Sequence, residues 1–479
     1  MSKIYKAGII GGGISGVVIA LQLAKDNVDT ILFEQGSGIV SGPPFCHLHA
    51  GGNLYPDISD EQCRKLMKQS IEMARLFPKS IDKRPTFISI PKTENYESKN
   101  IERRLGMLVE YYGQLIKEDP LNEVLGTPEE YYKKYNIEDL KKLIESPSVK
   151  YPVSADEWMS NTLKLIDYTK LKMPVFLVQE YGWNLFRVGA QAQLALTRAE
   201  NCNLKLRSKV NYIRDVRNKN LNYNWEICTN NSVYKVKYLV NSCGFRTGKI
   251  DELLNFKTQH LLEFKAAYIS KWHHIPGLIP ELVFHGKRST SHGMAQLTPY
   301  NDDYYQIHGM TKDITLFNNG LIKTQKNDDC LEFNESIMRK INHGWNQEEI
   351  KIRTENAINF ISKFVPSFKS ATLGGPPLFG AQQIPGEDPD LRVGEASFPS
   401  KYYARSEIVK ASSALTVARE IILRMQEEES LPMILNNCNK NLLLENISKS
   451  EIDKMASKIA IKRGYPEAMS HLLIDSGIS

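Results

Sequence analysis

The sequence predicts an α/β protein in which a parallel-sheet domain is interleaved with an α+β domain built on an antiparallel sheet, followed by a helical C-terminal tail. Three observations predict it. A strand, glycine turn, helix and second strand open the chain; short alternating strands crowd residues 256–310; a helical, charged segment closes it. At 479 residues the chain has room for two or three domains.

The opening unit is justified residue by residue. Tyr5–Ile10 (YKAGII) reads as a buried strand, VVIALQLAKD as a helix, and Val28–Phe33 (VDTILF) as a second strand ending in Glu34. Between strand and helix, Gly11, Gly13 and Gly16 stand at G-x-G-x-x-G spacing. The first glycine permits a tight turn, the second lets backbone approach a pyrophosphate, and the third lets helix and strand pack closely. Ser15 lies in the same turn, where the helix start offers unpaired N–H groups to a phosphate. Glu34, about 20 residues on, is placed to accept ribose hydroxyls. Together these residues predict a Rossmann-type dinucleotide site.

Further on come a helical stretch at 181–202, a short strand LKLRS, the strand KVNYIRD from Lys209, and the pair YNWEICT and VYKVKYLV running into Asn241-Ser242-Cys243-Gly244. Late in the chain, Leu391–Phe398 (LRVGEASF) precedes a helix-forming run from Glu407 to Met425. This order resembles the flavoproteins of the D-amino-acid-oxidase-like superfamily over roughly residues 1–425. In that family V-N-x-x-G ends a strand beside FAD, matched here by Val240, Asn241 and Gly244. A late strand–Gly–helix unit closes over the flavin, matched by Arg392 and Gly394, and Val210 matches a position whose backbone faces the adenine.

The resemblance implies FAD as cofactor and a substrate domain split into two insertions. The implied division is residues 1–80, 178–255 and 365–425 for the FAD domain and 81–177 and 256–364 for the substrate domain. Residues 426–479 form a helical extension outside the resemblance, with Ser450 as helix cap and Gly464 as stop. A second G-x-G-x-x-G is absent, as are an Asp-Gly dipeptide and a W-x-W motif, which turns the reading away from separate NAD(P)H domains, most single-Rossmann monooxygenases and flavin halogenases. The substrate itself is then the expected reductant.

The remaining elements are simpler. Ser59 with Gln62 three residues on suggests a capping box before CRKLMKQSIEMARLF. Pro85–Pro91 alternates like a strand, and KNIERRLGMLVEYYGQLIK is an amphipathic helix whose apolar stripe reads as core. FKAAYI, ELVFH, MAQLTP and YYQIHGM are the expected strands of the substrate sheet.

Oxidation of a C–H bond by flavin requires a base for the N–H or O–H proton and a hold on the substrate. His47, His49, His292 and His308 are the candidate bases, with His49 and His308 preferred, and the guanidinium of Arg392 or Arg405 could hold a carboxylate. The stretch FCHLHAGGN (45–53) follows the ribose-binding strand, so its glycines are expected to approach the flavin and His47 or His49 to meet the ring. The surrounding GPPFCHLHAGGNLY is similar to a loop of malate:quinone oxidoreductases. His49-Ala50-Gly51-Gly52 is similar to the His-Ala-Ala-Gly loop of dimethylglycine and sarcosine dehydrogenases, which implies a covalent FAD link at His49.

Composition narrows the partners. With 42% apolar and 24% charged residues and a net charge of +6, no basic block favours nucleic acid. Seven scattered cysteines without a C-x-x-C suggest reduced thiols in a cytoplasmic compartment. The apolar run at the N-terminus breaks at three glycines, unlike a signal peptide, and no stretch reaches the roughly 20 residues of a membrane span. Peripheral contact with a membrane stays open. No metal is expected, because adjacent Cys46 and His47 lack ligand spacing. The expected activity is hydride transfer from a small hydroxy acid or amine to FAD, with oxygen or a quinone as acceptor. An FAD-binding scaffold without turnover and a single-Rossmann monooxygenase are the competing readings.

Overall fold

The computed structural model describes residues 3–42, 51–52, 58–219, 221–257, 259–274, 277–324, 331–431 and 442–474. Ile4–Ile10 is the centre of the first sheet because its apolar residues are covered on both faces. Parallel neighbours are Thr30–Phe33 on one side and Val233–Asn241 on the other. Cys202–Lys205 extends the parallel core beyond Thr30–Phe33, and Tyr403–Glu407 extends it beyond Val233–Asn241. Glu395–Ser400 closes that edge antiparallel, and the meander Val210–Asp215, Trp225–Thr229 pairs onto Val233–Asn241. Parallel strands of this kind need helices on their faces. Ile14–Lys25, Leu185–Arg198 and Ala414–Glu427 supply buried apolar side chains there.

The second sheet has ten strands and is mostly antiparallel. Its backbone is the long strand His260–Lys271, followed by Tyr304–Gly309, Ala295–Pro299, Glu281–Phe284, Thr86–Pro91, Leu171–Val178 and Tyr132–Tyr135. Among the described residues no helix is long and apolar enough to cross a membrane.

Three boundaries differ from expectation. Leu378–Pro385 pairs with His260–Ala267, so this part of 365–425 belongs with the second sheet. The long strand would otherwise present an open row of backbone groups there. The helix expected from Glu407 starts instead at Ala414, because Tyr403–Glu407 is drawn into the first sheet, with Leu239 opposite Tyr403 and Asn241 opposite Arg405. Tertiary pairing overrides local propensity. Finally, Ser448 rather than Ser450 caps the tail helix Lys449–Lys462. Its hydroxyl accepts from the Glu451 N–H at 3.3 Å while the Glu451 carboxylate accepts from the Ser448 N–H at 3.0 Å. Gly464, at φ +78°, ends the helix.

That helix packs on Leu185–Arg198 through Ile452, Ala456 and Ala460, with Arg187 2.5 Å from Asp453 and Arg198 paired to Glu451. The buried carboxylate of Asp82 accepts from the N–H groups of Leu473 and Ile474, both at 3.1 Å. The tail is therefore bolted to the body at both ends. Ser59 caps Asp60–Leu76 as expected, accepting from the Gln62 N–H at 3.3 Å. The Gln62 side chain does not return the bond; it accepts from the N–H of Arg392 at 2.8 Å and ties the helix to the late segment.

Candidate active site

The glycine turn is built as its spacing demands. Gly11 has φ +105°, and a Cβ there would lie 2.4 Å from the carbonyl oxygen of Ser242. A Cβ on Gly16 would lie 2.0 Å from the oxygen of Gly11. Gly13 differs: a Cβ there meets nothing within 4 Å, and Ile14–Lys25 starts beside it without a side-chain cap. The first N–H groups of a helix have no partner within it, and among the described residues the space beside Gly13 is open, which is the arrangement that accepts a phosphate.

Glu34 is buried and accepts from the N–H of Gly12 at 2.8 Å and of Gly36 at 2.6 Å. It braces the turn with both oxygens and keeps lone pairs for a further donor, since a carboxylate offers about four acceptor sites. The Ser15 hydroxyl is hydrogen-bonded to that of Ser406, linking the turn to the late strand. Asn241 donates to the carbonyl of Thr247 and to the Tyr403 hydroxyl, both at 3.0 Å, and Gly244 follows at φ +56°.

These elements open on a cavity of about 1360 Å³. Of the residues singled out from sequence, Gly11, Gly13, Ser15, Glu34, Val210, Gly244 and His308 line it, and Gly16 supports the turn from behind. The opposite wall is the face of the second sheet: Val283 lies opposite Gln296, Gln296 opposite His308, and all three face the cavity. Ile408–Ala411, ahead of the helix Ala414–Glu427, forms part of the wall as well.

Four expected residues lie elsewhere. Arg405 is ion-paired with buried Asp251 at 2.9 Å, and the Tyr403 hydroxyl donates to the same carboxylate at 2.5 Å. Burial and that carboxylate hold the Tyr403 hydroxyl well above its usual range. Arg405 thus serves the sheet, not a substrate. Arg405→Ala is expected to cost roughly 3–5 kcal/mol in denaturant unfolding, because it strands the Asp251 charge. Arg392 is spent on the carbonyls of Pro389 and Leu391 at 2.7 and 2.8 Å. Gly394 gives close backbone contact instead, since a Cβ there would lie 2.5 Å from Ile408 Cα. His292 is exposed and off the cavity.

Cys46, His47 and His49 lie outside the described residues. Gly51 and Gly52 are described, and they correct the expectation for that loop's glycines. Gly51, at φ +104°, has room only for hydrogen against the Cys63 carbonyl, and the Gly52 N–H donates to Glu180. Both pack against protein rather than the cavity. Glu180 also accepts from the Tyr131 hydroxyl at 2.8 Å, and burial first, then Glu180, holds that hydroxyl well above its usual range.

Sequence reasoning missed Lys265, Gln296 and Arg463. Lys265 reaches the cavity from His260–Lys271, with its ammonium 2.6 Å from Glu263. Burial first, and the nearby charge of Arg392 second, bring its pKa down to about 7. The Glu263 carboxylate favours the charged form, and it is shared: it pairs with Arg288 and accepts from Gln382 at 2.7 Å. The signal was present in FKAAYI, where one lysine interrupts an otherwise buried strand. Gln296 donates to Glu281 at 2.6 Å, and Glu281 accepts from Arg84 at 3.1 Å.

Residues 9–42 match the family of NAD(P)-binding Rossmann-like domains. No curated protein sequence matches the chain. L-Proline dehydrogenase from P. horikoshii is similar in structure, with a TM-score of 0.57 at 15% identity over 93% of this chain and 99% of that one. Glycine oxidase from Geobacillus kaustophilus gives 0.55 at 11% identity, over 91% and 97%. L-alpha-glycerophosphate oxidase from Mycoplasma pneumoniae, a structure with FAD bound, gives 0.53 at 13% identity, over 88% and 95%. The fold is that of FAD-linked oxidoreductases. Arg463 and Tyr465 of the C-terminal segment also line the cavity. The comparisons show no likeness to malate:quinone oxidoreductases, and of the loop at 42–55 that carries the expected likeness only 42, 51 and 52 are described.

Proposed function

We propose that the protein is an FAD-dependent dehydrogenase or oxidase acting on a small amine or hydroxy acid. The observation that carries this reading is one continuous cavity, with a diphosphate cradle at one wall and Lys265, Gln296 and His308 at the other. Its volume exceeds the roughly 300–1,000 Å³ of ordinary ligand pockets, which leaves room for a large cofactor and a substrate together. The residues present fit FAD. Gly13 and the uncapped helix start would hold the diphosphate, Glu34 the ribose hydroxyls, and the backbone near Val210 the adenine.

Bound FAD supplies a hydride acceptor. The chain supplies the rest. Lys265, with its pKa brought near neutrality, takes the proton from the substrate N–H or O–H when unprotonated. His308 and Gln296 orient the substrate from adjacent strands, and Val283, Met294 and Met310 keep water from that end. Oxygen or a quinone would reoxidise the flavin.

The test is a visible spectrum of the purified protein followed by anaerobic addition of amines, amino acids and hydroxy acids. A flavin spectrum that bleaches with one substrate class is the expected result. A colourless protein that takes up no FAD overturns the cofactor reading. Flavin that bleaches with none of them supports a binding scaffold, and flavin bleached by NADPH alone supports a monooxygenase.

A further inference from the structure

The C-terminal tail contributes a cation to the cavity that the glycine turn lines. Arg463 follows the helix Lys449–Lys462, lines the cavity, and donates through one nitrogen to the carbonyls of Ser41 and Gly42 at 3.0 and 2.8 Å. Its flat guanidinium lies 5.5 Å from the ring centres of Phe186 and of Tyr465, which fix its plane. Among the described residues it has no carboxylate partner. Burial lowers its pKa, so the protein carries the cost of a partly desolvated cation.

The position of that cation identifies what would balance it. The N–H of Val40 donates to the oxygen of Gly12 at 2.8 Å, so the segment leading to Gly42 lies against the glycine turn. Chain length places the Gly42 Cα within about 7.6 Å of the Val40 Cα. Arg463 therefore approaches the same end of the cavity as the uncapped helix start at Gly13. Two sources of positive potential, a helix terminus and a guanidinium, approach one region, where the acid at the turn, Glu34, is already engaged by the N–H groups of Gly12 and Gly36. Lys462 adds a bond to the carbonyl of Ser37 at 3.3 Å, which fixes the same segment from outside.

We propose that Arg463 completes the diphosphate pocket, so that the C-terminal tail is part of the cofactor site and not an appendage. This rests on the FAD reading above. Its ligand is a dinucleotide diphosphate, bound between the Gly13 helix start and the tail.

Apoprotein of the wild type, Arg463→Ala and Arg463→Lys would be titrated with FAD, with ADP, and with adenosine as a probe lacking phosphate. Arg463→Ala is expected to weaken FAD and ADP about tenfold or more and to leave adenosine unchanged. Arg463→Lys should fall between, because it keeps the charge and loses the fork. Thermal unfolding of the apoproteins reports whether the tail stays docked. Equal weakening of all three ligands overturns the proposal in favour of a structural role, and unchanged FAD and ADP affinity overturns it outright. Wild-type apoprotein that binds no FAD would instead overturn the function proposed above.

Discussion

Replacing Lys265 with methionine is expected to slow substrate-driven flavin bleaching by about 100- to 10,000-fold while the protein still binds flavin. Methionine keeps the length and removes the amine. The pH dependence identifies the cause. Burial brings the Lys265 pKa down to about 7, so a wild-type bleaching rate that rises as pH passes through neutrality is the expected result. In the methionine variant that rise should vanish. A rate that keeps its pH profile after the substitution would assign the base elsewhere, with His308 the next residue to replace. Stability gives a second reading of the same group. The folded pKa lies below the roughly 10.4 of an unfolded lysine, so between pH 7 and that value the unfolded chain holds the extra proton. Wild-type stability against denaturant should therefore gain from rising pH across that window, and Lys265→Met should lose this gain.

The parts of the site legible in the sequence are those whose signals are contiguous. Gly11, Gly13, Gly16 and Glu34 lie within one strand–helix–strand unit; Gly11 and Gly16 make the close approaches their spacing demands, and Gly13 borders open space. His308 was reachable because alternation in YYQIHG fixes which side chains share a face. Arg405 was misread because proximity in sequence to a flavin segment says nothing about which side of a parallel strand faces the cavity. Its partner Asp251 sits 154 residues away. Gly51 and Gly52 show the same limit in another form. Glycine spacing shows that something comes close but does not identify it, and here it is the backbone of Cys63 and the carboxylate of Glu180. The tail was least legible. Arg463 meets Gly42 across 421 residues, and no local pattern announces a contact of that kind.

Two alanine substitutions in the glycine turn are expected to abolish cofactor binding for different physical reasons, and the contrast is the test. At Gly16 the added carbon would sit 2.0 Å from the Gly11 oxygen, and neither atom is the far end of a flexible side chain. The helix Ile14–Lys25 must then move off the turn, which also displaces its packing on Ala414–Glu427. Gly16→Ala should lose FAD and, in addition, about 1–3 kcal/mol of apoprotein stability, as overpacking does. At Gly13 the backbone has φ −67° and ψ 176°, which alanine adopts freely, and the added carbon meets no protein atom within 4 Å. Gly13→Ala should therefore unfold at the wild-type temperature and still fail to retain flavin, because the methyl occupies space reserved for the diphosphate. Flavin titration and thermal unfolding of both apoproteins decide the matter. A Gly13→Ala protein that binds FAD as tightly as wild type would move the diphosphate away from this helix start, and with it the role assigned to Arg463.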